Sequence, residues 1–86
     1  MFLVEVSDEE IRREREKARV LRSSQWWKRK RAAGRCHHCG GAFRPGDLTM
    51  DHLVPIIRGG KSTKGNVVAS CKSCNTARKH RLPFEE

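Results

Sequence analysis

Four cysteines and one Asp-His pair are the residues of this chain whose types and spacing suit them to chemistry. The cysteines fall as Cys36-His37-His38-Cys39 and Cys71-Lys72-Ser73-Cys74, two C-x-x-C pairs with 31 residues between them. Each pair presents two sulfurs on one side of a tight backbone loop, and two such loops can converge on a single tetrahedral ion. Gly40, directly after Cys39, frees the backbone to make the first loop. Four thiolates complete a Zn²⁺ shell and leave no open position, so one structural zinc is expected. His37 and His38, inside the first knuckle, are then read as exposed polar residues and not as ligands.

A disulfide framework is the competing use of four cysteines, with three connectivities. It needs an oxidising compartment. Met1 to Val6 is too short for a signal peptide, lacks a basic n-region and is followed by Asp8, Glu9 and Glu10. No apolar run is long enough to span a bilayer. The expectation is a cytoplasmic chain with reduced thiols and no membrane partner. The metal also answers a problem of size. A chain of 86 residues with 36% hydrophobic and 34% charged side chains builds a thin core. Zinc binding contributes on the order of 10–16 kcal/mol of apparent free energy at neutral pH, enough to decide whether the domain folds.

Charge is unevenly spread. Residues 1–19 carry five basic and six acidic side chains, whereas residues 20–84 carry fourteen basic ones against Asp47 and Asp51 alone, net +12. A surplus confined to one region, with no amphipathic apolar face beside it, favours nucleic acid over a membrane surface.

The elements that must position these groups follow from local signals. Ser7-Asp8-Glu9-Glu10 has the form of a capping box. Good helix formers continue to Gly34, which predicts one long helix from about residue 8 to residue 33, anchored to the body through Trp26 or Trp27. The stretch from Leu48 to Ile57 is strand-like, Arg58-Gly59-Gly60-Lys61 is a turn, and Asn66-Val67-Val68-Ala69 is a second short strand. A helix then starts at Ser73 or Cys74 and runs to about His80. The predicted order is long helix, knuckle, strand, loop, strand, knuckle, short helix.

Zinc accounts for the cysteines but not for Asp51 and His52, two ionisable groups set in an apolar strand. Asp51-His52-Leu53-Val54-Pro55, Gly59-Gly60, Asn66-Val67-Val68 and Cys71-Lys72-Ser73-Cys74-Asn75, with Lys79 four residues on, together resemble the HNH endonucleases. Cys36-His37-His38-Cys39-Gly40 is similar to the zinc-bearing branch of that family. The resemblance covers about residues 26–80 and implies an α+β, ββα-metal (His-Me finger) fold with the paired zinc knuckles and a long N-terminal helix. Residues 1–25 form a helical arm in this reading and residues 26–84 the nuclease domain.

The resemblance also implies roles. His52 is the general base that activates water, an imidazole with an ordinary pKa of ~6.5 being suited to that task. Asp51 ligates the catalytic ion, and Asn66 orients His52. Asn75 stands where the family carries His or Asn, which makes this an H-N-N variant. Asp51 and Asn75 offer oxygen, so Mg²⁺ or Mn²⁺ is the expected second cofactor. Arg58, Lys61, Lys64, Lys72, Arg78 and Lys79 are expected on the phosphate backbone, where contacts position without reading sequence. His80 is a further candidate ligand. The implied activity is metal-dependent cleavage of double-stranded DNA, largely without sequence preference, leaving 5′-phosphate and 3′-hydroxyl ends. A homodimer or a larger phage or restriction assembly is compatible with it. The alternative is a non-catalytic zinc-ribbon module that binds nucleic acid or serves as a phage-packaging adaptor. One geometric condition attaches to the nuclease reading. Strand alternation sends Asp51 and His52 to opposite faces, so both reach one phosphate only if the chain bends or bulges near His52.

Overall fold

In the computed structural model, which describes residues 6–78, five elements surround the two knuckles. They are α1 (Asp8–Arg22), α2 (Gln25–Ala32), β1 (Leu48–His52), β2 (Val67–Cys71) and α3 (Lys72–Arg78). Lys79 and His80, and the end of the expected last helix, lie outside the described residues. This is the small α+β, ββα arrangement, with a two-stranded antiparallel sheet followed directly by a helix. Among the described residues no helix is long and apolar enough to cross a membrane.

The expected single long helix is two helices. Ser7 caps the first, its hydroxyl accepting the Glu10 N–H at 3.1 Å. Ser24 makes the break. Its hydroxyl donates to the Leu21 carbonyl at 2.6 Å, closing α1, and accepts the Trp27 N–H at 3.2 Å, opening α2. A side chain that satisfies orphan groups at both helix ends offsets the backbone bonds lost at the bend. The bend lets α2 turn Trp27, 1% exposed, into the core with Cys36, Leu48, Ala69 and Cys71, while Trp26, Met50 and Cys74 pack around them. Two helices thus bury what one straight helix could not: Trp27 on the knuckles, and Ala18 and Glu14 on the rest of the body.

The strands pair in one uninterrupted register, Leu48 with Cys71 through Asp51 with Val68 to His52 with Val67. The first strand ends at His52, earlier than Ile57, because the chain turns at Pro55 and Ile56–Arg58 closes a single 3₁₀ turn. Gly60 permits that turn. It is buried, its N–H reaches the Pro55 carbonyl at 2.9 Å, and a Cβ there would lie 1.7 Å from the Val54 carbonyl oxygen. The register carries no bulge, so the bend expected near His52 comes only after it.

Candidate functional site

The four cysteines meet. Cys36, Cys39, Cys71 and Cys74 place their sulfurs within 4.8 Å of one another, and this is the one group of three or more His, Cys, Asp or Glu side chains among the described residues that could hold an ion. A tetrahedron with metal–sulfur bonds of ~2.3 Å has edges of about 3.8 Å, so small side-chain shifts bring the four to a Zn²⁺ distance. Local backbone builds the cup. Gly40, at φ +71°, donates its N–H to the Cys36 carbonyl, and the His37 N–H ties the first knuckle to the Ala69 carbonyl of β2 at 2.8 Å. Burial pushes the Cys36 thiol up, yet backbone N–H groups of Cys39, Cys71 and His38 outweigh it and bring the thiol to about 5. The Cys74 thiol is pushed up to about 12, first by its hydrogen bond with Cys71 and then by burial. The cluster is therefore ready to hold its first negative charge at Cys36, and a dication would draw out the rest.

A second constellation lies along β1 and α3. Thr49 and Asp51 share the face of β1 that α3 covers. Thr49 donates its hydroxyl hydrogen to the Ser70 carbonyl and accepts from the Asn75 amide nitrogen at 2.8 Å. That bond engages the Asn75 amide through its nitrogen and leaves the amide oxygen out of the contact. Thr49, Lys72, Asn75 and Thr76 line a surface groove of about 290 Å³. One turn along α3, Arg78 donates to the Asp51 carboxylate at 2.9 Å, and His38 Nε2 lies 2.8 Å from the same Oδ2. Asp51 is 7% exposed.

His52 stands apart from this set. Its Nε2 lies 3.0 Å from Ser62 Oγ, and Ser62 is in turn bonded to Glu14 of α1. Burial holds the imidazole below its ordinary pKa against the raising pull of the Asp51 carboxylate. Arg22 adds to the lowering and Glu14 opposes it. Asn66 shapes the segment that follows His52. Its Oδ1 accepts from the Val54 N–H at 2.9 Å, its Nδ2 donates to the Val54 and Lys61 carbonyls, and its own carbonyl accepts from Leu53.

Residues 36–81 match the protein-family model described as HNH endonuclease. The span is more than half of the chain. This protein belongs to the HNH endonuclease family. No curated protein sequence matches the chain closely enough to stand beside that result.

Within this HNH domain the expected site residues divide into groups. Asp51 and Asn75 each bond across the β1–α3 contact, to Arg78 and to Thr49 respectively, whereas His52 and Asn66 serve the other side of β1 and the loop beyond it. Lys61, Lys64 and Lys72 are exposed, Arg58 is half-buried and engaged, and Lys64 sits 5.6 Å from the Trp26 ring. Arg78 is not a free phosphate ligand here, since Asp51 holds its guanidinium. His38 corrects an expectation outright: its side chain is mostly covered and pairs with Asp51, although His37 is exposed as expected.

Three further residues went unread in the sequence. Thr49 and Ser62 carry no local signal. Glu14 does carry one, for it falls on the stripe Ile11, Glu14, Ala18, Leu21 at helical spacing, and a carboxylate on an apolar stripe asks for a buried partner.

Proposed function

We propose that this HNH domain is a divalent-metal-dependent endonuclease that hydrolyses phosphodiester bonds of double-stranded DNA without strong sequence preference, in a reducing, cytoplasmic setting. The observation that carries the reading is the family match, whose span contains His52, Asn66 and Asn75 together with all four cysteines.

The roles follow from what each side chain can do. His52, kept neutral by burial, takes a proton from a water in line with the scissile bond. Asn66 holds the backbone of residues 53–54, and so the end of β1 from which His52 projects. Asp51 and the amide oxygen of Asn75 supply oxygen donors, which suit Mg²⁺ or Mn²⁺. Such an ion, when bound, supplies Lewis-acid stabilisation of charge at the phosphate and the leaving oxygen. Arg78 and His38 both bond Asp51 Oδ2, so Oδ1 is the carboxylate oxygen that a cation would meet without displacing either. The DNA backbone then runs along β1, with Lys61 and Lys64 in the loop beyond its C-terminal end and Lys72 beside its N-terminal end.

Incubation of supercoiled plasmid with the zinc-loaded protein and Mg²⁺ or Mn²⁺ tests the reading. Nicked or linear product is expected from wild type and a loss of at least about a hundredfold from His52→Ala, the usual range for a general base. Equal inactivity of the two, with binding retained, would support the second reading. That reading is a non-hydrolytic nucleic-acid-binding module, and what favours it is the divergence of Asp51 and His52 across an unbulged strand.

A further inference from the structure

His52 is gripped on the side away from Asp51 by two residues that carry no part of the H-N-N pattern, and Glu14 precedes the family span altogether. His52 Nε2 lies 3.0 Å from Ser62 Oγ. The same oxygen lies 2.6 Å from the backbone carbonyl of Glu14, and the Ser62 N–H donates to the Glu14 carboxylate at 2.7 Å. A carbonyl oxygen carries no proton, so the single hydroxyl hydrogen of Ser62 is directed at Glu14. Ser62 Oγ is left only as an acceptor toward His52, and the hydrogen in that contact must come from Nε2. A neutral imidazole has one N–H, so Nδ1 is the bare nitrogen. No hydrogen bond reaches Nδ1 from the described residues.

We propose that α1 sets the tautomer of the general base: Glu14, acting through Ser62, holds His52 as the Nε2–H form and presents Nδ1 to the water. Ser62 and Glu14 are positioning residues, touching neither substrate nor ion. The assignment of Nδ1 as the reacting atom rests on the nuclease reading, while the tautomer does not. In the reaction Nδ1 takes one proton from water and the ring becomes imidazolium with its Nε2–H bond to Ser62 kept. The water oxygen bonds to phosphorus as the P–O3′ bond breaks, and the departing O3′ acquires its proton from solvent.

The relay is built to be rigid. Glu14 is 4% exposed and Ser62 9%, and their two mutual hydrogen bonds join residues 48 positions apart. The Glu14 carboxyl is held below the usual range chiefly by the Ser62 N–H, with Lys17 adding a hydrogen bond at 3.2 Å, so it stays an acceptor at neutral pH. The groups that face His52 are Ser62 from the loop, Glu14 and Arg22 from α1, and the neighbouring Asp51. A general base whose second nitrogen is fixed by a hydrogen bond is the arrangement that selects one tautomer. Here the fixing partner, Ser62, is itself held by a helix that precedes the family span.

Long-range proton–nitrogen correlation spectra of the isotope-labelled, zinc-loaded full chain at about pH 7.5, above the ordinary histidine range, read the tautomer directly. Wild type is expected to show a protonated Nε2 and a bare Nδ1. In Ser62→Ala both signals move toward the averaged positions of free imidazole, and kcat for plasmid cleavage falls about tenfold at unchanged KM, the loss of one positioning hydrogen bond. Ser62→Thr keeps the hydroxyl and restores both readouts. A wild-type spectrum with protonated Nδ1 overturns the proposal even where Ser62→Ala fails to fold, as does a Ser62→Ala protein with unchanged spectrum and rate. A protein that shows the Nε2–H spectrum yet cleaves no DNA upholds the relay and overturns the nuclease reading instead.

Discussion

The sulfur cluster and the Asp51 pairing interleave in the chain, Asp51 falling between the two knuckles, and are opposite in character. Cys36, Cys39, Cys71 and Cys74 face one another, and what reaches their sulfurs from the protein is a few weak N–H contacts near 3.5 Å, so the set is incomplete until a cation joins it. Asp51, by contrast, is already answered by Arg78 and His38, and Asn75 by Thr49. One centre is completed by an ion, whereas the other is already satisfied by protein partners at Asp51 Oδ2 and at the Asn75 amide.

The largest effect that separates the two comes from Cys36→Ser. Zinc binding is worth on the order of 10–16 kcal/mol against a core of Trp27, Leu48 and Ala69, so cooperative melting by circular dichroism and bound zinc are both expected to vanish. Retained melting would collapse the distinction. Next is Asp51→Ala. Were Asp51 only an ion ligand, its loss would spare stability, but its buried pairing with Arg78 predicts a cost of about 3 kcal/mol by denaturant unfolding. Adding Arg78→Ala recovers part of that cost, a coupling on the order of 2 kcal/mol in a double-mutant cycle. Additive losses would mean that the crevice does not satisfy itself.

A smaller effect concerns admission of the ion. Arg78→Ala removes the competitor at Asp51 and is expected to tighten Mn²⁺ binding about tenfold by calorimetry, an energy near that of one charge-assisted hydrogen bond. Weaker or equal binding would show that Arg78 does not gate Asp51. The smallest involves Glu14, whose lowered pKa gives the sign. A carboxylate held below its unfolded value stabilises above that value, and the contribution fades as pH falls through the folded one. Glu14→Gln should thus cost ~1 kcal/mol near neutrality, and its melting difference from wild type should narrow once the pH drops below the ordinary carboxylate range. Subtracting the two proteins removes the acid sensitivity that the thiolates share.

What the chain disclosed in advance was whatever a few neighbouring residues decide. Ser7 and Glu10 announce a helix start, the C-x-x-C spacing announces a shared ion, and Val67-Val68-Ala69 announces a buried strand. Ser24 offered a cap signal too, but a long run of helix formers with no glycine or proline hid the break. The contacts of His38 with Asp51 and of Glu14 with Ser62 join residues 13 and 48 apart. They depend on how helices dock, and no local propensity encodes a docking angle. The family resemblance pointed to Asp51, His52, Asn66 and Asn75, yet it was silent on α1, which lies outside its span.

The tight approach at Gly60 has a consequence for how this protein can vary. With no room beside the Val54 carbonyl for even one methyl group, the turn from Pro55 to Ser62 behaves as a single mould cast around a missing atom. A change to alanine would touch neither His52 nor Asn66 directly. It would displace the arc that joins them, shifting where both side chains stand while altering neither.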